Sequence, residues 1–177
     1  MLAFLDVDYR DPHAVAACVL ASGWTSPLPH QALTATTPLA GAYRPGEFYL
    51  RELPALKAVL ARVTTPLEAI VVDGYVWLGS DHPGLGARLH DALGGVVPVV
   101  GVAKTSWGGE AAPAGHPHRA VAVLRGGSTR PLFVTSVGID VAEVAANVAA
   151  MDGAHRLPAL LKAVDRLARS APSGPPT

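Results

Sequence analysis

The sequence predicts an α/β domain built on a mixed central β-sheet flanked by helices, and three observations carry that prediction. The chain opens with strand-like runs at Leu2 to Tyr9, Ala14 to Ser22 and Gln31 to Leu39, separated only by turn-like stretches, which is the pattern of an antiparallel meander. Short β-branched runs at Ala69 to Val72 and Val96 to Val102 then bracket a helical Gly84 to Leu93, and strand–helix–strand is the crossover that joins parallel neighbours. Amphipathic helices over Val141 to Met151 and Leu157 to Ser170 close the chain. The competing arrangement, a fully parallel doubly wound sheet, lacks its usual phosphate loops, since neither G-x-G-x-x-G nor Gly-Lys-Ser/Thr occurs.

Each element has a local reason. In the first strand Leu2, Phe4, Asp6 and Asp8 share one face, and Ala3, Leu5, Val7 and Tyr9 share the other. Pro54 cannot sit deep in a helix, so the helix containing Leu53 to Val63 is expected to start near Arg51 or Glu52, with Pro54 in its first turn. Thr105 to His118 is rich in Gly and Pro and reads as a loop, including His116-Pro117-His118, and the strand-like Ala120 to Leu124 and Leu132 to Thr135 follow it. With 177 residues, half of them hydrophobic and 16% charged, the chain suits one domain with one sizeable core. That domain is expected to span residues 1–170, with 171–177 as a frayed tail.

Composition also excludes several functions. No apolar stretch approaches the roughly 18 residues of a spanning helix. Met1 to Asp8 carries acid where a secretory signal carries base, so a cytoplasmic protein without a membrane partner is expected, and a monomer. The single cysteine, Cys18, excludes an intramolecular disulfide and a cysteine-based zinc site, and it reads as a small buried hydrophobe. Fourteen basic residues balance fourteen acidic ones, so no whole-molecule field attracts a polyanion and any nucleic-acid site must be a local patch.

Four acids sit where a soluble fold does not ordinarily place charge. Asp6 lies among Phe4, Leu5 and Val7, where an isolated carboxylate is costly. Asp73 ends Ile70-Val71-Val72 at the carboxyl end of a buried strand, where open α/β sheets place ligands, although Asp73-Gly74 also reads as an ordinary turn. Glu52 falls on the helix stripe of Leu56, Val59, Leu60 and Val63 and so faces inward, while a first-turn Glu also complements the helix dipole. Asp140 begins the capping box Asp140-x-x-Glu143 and reads as a cap that can also be a ligand. If several of these carboxylates converge, a divalent cation must neutralise them, and oxygen-only ligands favour Mg²⁺, with Mn²⁺ as a substitute. Such a site suits phosphodiester hydrolysis. Lys104, at the end of Val99 to Ala103, can offset phosphate charge or snorkel at a strand end, and Tyr43, within Ala42-Tyr43-Arg44-Pro45-Gly46, can present a ring to a base or pack in a turn.

Taken together these residues resemble the endonuclease V family, the deoxyinosine 3′-endonucleases. Leu5-Asp6-Val7-Asp8-Tyr9 is similar to the family's first strand. Tyr43-Arg44-Pro45-Gly46, then Arg51-Glu52 and Pro54-Ala55-Leu56, resemble its Tyr-x-Pro-Gly segment and Arg-Glu-x-Pro-Ala-Leu helix start. Val71-Val72-Asp73-Gly74 resembles the second catalytic strand, and Gly101-Val102-Ala103-Lys104 the segment that delivers the family's lysine. Ser136-x-Gly138-Ile139-Asp140 and His155-Arg156-Leu157-Pro158 resemble two further segments.

The resemblance implies a ribonuclease H-like fold and cleavage at the second phosphodiester bond 3′ to inosine in DNA and, as in some relatives, in RNA, in the service of repair. It implies that Asp6, Asp73 and Glu52 hold Mg²⁺, with Lys104 and Asp140 also catalytic. Tyr43, Pro45 and Gly46 would form the wedge beside the lesion, and Gly74 and His82 would contact nucleic acid. Flipping the base out of the duplex is the physical requirement for such chemistry.

The chain departs from the family pattern in three extra residues within Tyr75 to Asp81, in a helix one residue shorter before His90, and in Gly138-Ile139-Asp140 where the family has Gly-His-Arg. Two alternatives stand beside the reading: a nucleic-acid-binding relative without catalysis, and a ribonuclease H-like nuclease for branched or otherwise damaged DNA.

Overall fold

The meander forms as the alternation dictates. In a computed structural model that describes residues 1–39, 49–108 and 110–172, β1 (Leu2–Arg10), β2 (His13–Ala21) and β3 (Gln31–Pro38) pair antiparallel, with Leu5 opposite Cys18 and Cys18 opposite Leu33. Cys18 is fully buried and reduced, and burial pushes its thiol up to about 12.

Helix α1 (Tyr49–Leu60) differs from expectation at its start. It already includes Tyr49, so Pro54 lies past the first turn, where its missing N–H leaves the carbonyl of Leu50 without a helical partner. Leu50 is exposed, which leaves room for water at that end, and the inward stripe Ala55, Leu56, Val59 and Leu60 holds the helix on the sheet.

β4 (Ala69–Asp73) runs parallel to β1. The following stretch contains a small hairpin, β5 (Trp77–Leu78) and β6 (His82–Pro83), before α2 (Leu85–Ala92). β7 (Val99–Ala103) adds parallel to β4, β9 (Leu132–Val137) adds antiparallel to β7, and β8 (Val121–Val123) forms the edge. α3 (Val141–Ala150) and α4 (Ala159–Ser170) follow. The seven-stranded sheet has the order β3-β2-β1-β4-β7-β9-β8, so the sheet is mixed as predicted. Strand β7 starts later than the apolar run at Val96 because Val96 is 80% exposed and pairing begins after Pro98, whose nitrogen has no proton to donate.

Alternation divides the core between the two faces of the sheet. Leu2, Phe4, Val71, Val100 and Val102 pack under Val144 and Val148 of α3 and Leu160 and Val164 of α4. Ala3, Leu5, Ile70, Val72 and Val99 pack under Leu56 and Val59 of α1 and Leu89 of α2. Phe4 is fully buried, and truncating such a ring to Ala costs about 3–5 kcal/mol. The strand ends are therefore fixed by packing on both sides. At the chain's end, Arg10 donates to the carbonyls of Ala168 (2.7 Å) and Ala171, and Ala171 is buried; residues 173–177 of the expected tail lie outside the described residues. No described helix is long and apolar enough to cross a membrane.

Candidate active site

The parallel register of β1 and β4 sets Leu5 beside Val72, so the next residue on each strand is an aspartate, Asp6 and Asp73. Both follow the parity of Phe4 and Val71 and face α4. Asp73 is also in register with Val102 of β7, and just beyond that strand Lys104 donates from Nζ to Asp73 Oδ2. Glu52 arrives from α1 on the opposite face. The carboxylates thus meet round the end of the sheet, not on one of its faces.

Two small cavities of about 10 Å³ each, the room of a single water, open there. Asp6, Glu52 and Asp73 share one with Leu56 and Leu85, and Asp6, Asp73 and Lys104 share the other with Leu157, Leu161 and Val164. Asp6 and Glu52 are held well above the ordinary carboxylate range. Burial first, then the charges of Asp73 and Asp165, push Asp6 up to about 6, against the amide of Val7, which donates to Asp6 Oδ1 at 2.9 Å, and the ammonium of Lys104. Burial likewise pushes Glu52 up to about 7, with Asp6 and Asp73 adding to it, while the Tyr9 hydroxyl donates to Glu52 and works the other way. Burial and Glu52 drive Tyr9 itself far up, and the Arg51 guanidinium lies 5.0 Å from its ring centre.

This donor set suits a hard divalent cation. It is made of oxygens alone, it concentrates negative charge that Lys104 only partly offsets, and two of its members are held toward the neutral form by burial and neighbouring like charge. It is not a finished cage. Among the described residues no group of three or more His, Cys, Asp or Glu is already arranged around a metal position, and the direct partner of Asp73 is Lys104.

Asp140 is not brought to this group. β9 runs antiparallel to β7 with Val137 opposite Val99, so the chain reaches Asp140 at the opposite end of the sheet from Lys104. There it is the N-cap of α3, exposed, with Oδ1 accepting from the Glu143 amide at 2.9 Å. The further acid whose charge reaches Asp6 is Asp165 on α4, which sequence reasoning missed. Asp165 pairs with Arg169 at 3.1 Å, the look of a solvated helix face, yet it shares a helical stripe with the buried Leu161 and Ala168, the same signal that exposed Glu52.

Gly74 follows Asp73 with φ +139°, a conformation that side chains rarely adopt, and the space a Cβ would occupy is open. Gly101 has the opposite reason: a Cβ there would lie 2.5 Å from the Gly74 carbonyl oxygen, so its absence lets the chain after Asp73 pack on β7. His82 is exposed on β6 and lines a cavity of about 360 Å³ to which none of Asp6, Glu52 and Asp73 contributes. Tyr43, Pro45 and Gly46 lie outside the described residues.

The family model described as endonuclease V matches residues 1–166. The endonuclease V of Streptomyces coelicolor is 32% identical over 181 residues, covering 93% of this chain and 74% of that protein. The endonuclease V of Streptomyces avermitilis is 31% identical over 94% of this chain and 78% of its own, and its crystal structure superposes with a TM-score of 0.67 at 28% identity, covering 95% of this chain and 79% of that one. Ciona intestinalis endonuclease V, crystallised with a 23mer DNA containing an inosine, shares the fold with a TM-score of 0.75 at 18% identity, covering 95% of this chain and 83% of that one.

Proposed function

Since this chain belongs to the endonuclease V family, and is therefore a nuclease with a ribonuclease H-like fold, we propose that it nicks DNA, and RNA as a second substrate, at the second phosphodiester bond 3′ to inosine, with Mg²⁺ as cofactor and Mn²⁺ as a substitute. The observation that carries the reading is the meeting of Asp6, Glu52 and Asp73, from three separate elements, at one end of the sheet, with Lys104 on Asp73.

In this reading the carboxylates of Asp6, Asp73 and Glu52 hold the cation, and Asp165 adds negative charge from α4. When bound, that ion supplies activation of the attacking water and stabilisation of the leaving 3′ oxygen. The residues themselves do the rest. Rigid strand ends hold Asp6 and Asp73 side by side, Tyr9 orients Glu52 by donating to it, and Lys104, whose ammonium already lies at the site, offsets the charge of the scissile phosphate. Asp6 and Glu52 carry protons below about 6 and about 7, so the cation-holding form is reached as pH rises through that interval. The open backbone at Gly74 and the Tyr43-Arg44-Pro45-Gly46 segment serve the flipped base.

The test is incubation of an inosine-containing duplex with Mg²⁺ or Mn²⁺, beside uracil, abasic and branched substrates. Selective nicking at inosine that leaves 3′-hydroxyl and 5′-phosphate ends is expected from the wild type and not from Asp73→Asn. Absence of nicking, preference for a branched substrate, or full activity in Asp73→Asn would contradict the reading.

A further inference from the structure

Lys104 stands just outside the sheet. The β7–β9 ladder ends with Ala103 opposite Phe133, so Lys104 is the first residue past it on one strand, and Pro131 is the residue before the other strand begins. Lys104 is exposed, and a chain past its last rung frays unless something holds it. Arg156 supplies the hold. Its Nη2 donates to the Lys104 carbonyl and, at 2.7 Å, to the Pro131 carbonyl, so one nitrogen with two protons bridges both chains where the ladder stops. We propose that Arg156 is a positioning residue of the carboxylate site: by clamping the backbone of Lys104 it keeps the Lys104 ammonium on Asp73. Its contribution to cleavage rests on the nuclease reading, whereas the clamp rests on its own geometry.

The clamp has an anchor of its own. Arg156 belongs to the connection between α3 and α4, which has no ladder to fix it. Arg125, two residues past β8 and 9% exposed, donates from Nη1 to the carbonyls of His155 (2.9 Å) and Arg156 (3.4 Å), and from Nη2 to those of Met151 and Gly153 (3.1 Å). Burial works against the charge of Arg125, and four carbonyls of a single connection, with the charge of Asp152, compensate it. Gly126 takes φ +59°, and a Cβ there would stand 2.2 Å from the His155 carbonyl carbon, so the chain after Arg125 lies directly against the connection. The Ala159 amide donates to the Asp152 carbonyl at 2.9 Å and closes the connection onto α4.

Two features tie this arrangement to the site. Leu157, the residue after Arg156, lines the cavity shared by Asp6, Asp73 and Lys104, so the same connection reaches the carboxylates directly. The planar fork of an arginine also fixes acceptors in a set direction, which a flexible ammonium does not. Precision matters here, because displacing a catalytic group by about 1 Å can cost as much as about a hundredfold in rate.

The deciding experiment exploits the scarcity of lysine. The chain has Lys57, Lys104 and Lys162 alone, so protein labelled with ¹³C-lysine gives one Cε signal for each, and Lys104→Ala assigns its own by removing it. In the metal-free wild type the Lys104 methylene should relax as an ordered group, and in Arg156→Ala it should become as mobile as that of Lys57, which is exposed on α1. In single-turnover cleavage of inosine DNA, Arg156→Ala should slow the saturated rate by about tenfold and leave the Kd for DNA within about twofold. In a Lys104→Ala background the same change should add less than about twofold, since it acts through a group already gone. Arg156→Lys keeps the charge without the fork; it should resemble Arg156→Ala, and it carries the relaxation comparison if the Ala variant does not fold. Unchanged Lys104 relaxation, additive losses in the double variant, a loss confined to Kd as for a direct phosphate contact, or full recovery by Arg156→Lys would overturn the proposal. A Lys104 signal freed by Arg156→Ala in a protein that leaves inosine DNA intact would support the clamp and count against the proposed reaction alone.

Discussion

Asp140 and Asp6 lie at opposite ends of the same sheet and show what a protein does with a carboxylate it can satisfy and with one it cannot. Asp140 is exposed, accepts from the amide of Glu143 at 2.9 Å and faces the positive end of α3. Asp6 has the Val7 amide at the same distance, yet burial and the charge of Asp73 still push it up to about 6, and Glu52 beside it is pushed up to about 7. One hydrogen bond is therefore not what distinguishes them. The difference is desolvation combined with like charge, an arrangement that clusters at functional sites.

The comparison would be broken most severely by activity. Asp73→Asn or Asp6→Asn should reduce cleavage of inosine DNA by at least about a hundredfold, the scale of losing a group that organises transition-state charge, while Asp140→Asn should stay within about twofold. Parallel losses in all three, measured as single-turnover rates, would remove the distinction. Lys104→Ala should slow cleavage by roughly ten- to a hundredfold and shift the Tm by no more than about 2 °C, because its partly exposed ion pair with Asp73 contributes little to folding. An unchanged rate would take Lys104 out of the reaction.

Stability against pH sharpens the comparison further. Asp6 and Glu52 titrate near 6 and 7 in the folded chain against ordinary values of 3.8 and 4.5, so the folded state holds more protons than the unfolded one between about pH 4 and 7. Stability must then fall as pH rises through that window. The metal-free protein should lose roughly 10 °C of Tm between about pH 5 and about pH 8, since the release of the two protons costs about 4 kcal/mol at about 2–4 °C per kcal/mol for a chain of this size. Asp6→Asn should flatten the slope, and so should added Mg²⁺. A slope unchanged by that variant would mean that the strain lies elsewhere. Asp140→Ala is the smallest effect: loss of its cap should cost about 1 kcal/mol at neutral pH, with cleavage retained. A Tm identical to wild type in a thermal melt would show that the cap contributes nothing.

The sequence made the carboxylate end of the molecule legible because strand parity and helical stripe are rigid rules. Asp6 had to share the face of Phe4, Asp73 had to end its β-branched run, and Glu52 had to follow Leu56 and Val59 inward. Asp140-x-x-Glu143 was legible as a cap for a similar reason, since the cap bond is local; that it stands at the far end of the sheet is not local, because it depends on β9 running against β7. Asp165 was obscured by Arg169 one turn on, which makes its helix face look solvated. The β5–β6 hairpin was unreadable because strands of two residues are too short to show alternation, and tertiary contacts hold it in place, among them the bond from Trp77 to Ser136 and the stacking of Trp77 on His118.

The central claim, that Asp6, Glu52 and Asp73 form one electrostatic unit awaiting a cation, is tested most directly by soaking crystals in Mn²⁺ and collecting anomalous data. The account predicts an anomalous peak in contact with the carboxylates of Asp6 and Asp73, with Glu52 beside it, and loss of that peak in Asp73→Asn. Manganese bound elsewhere while these three side chains stay bare, or a peak that survives in Asp73→Asn, would contradict it.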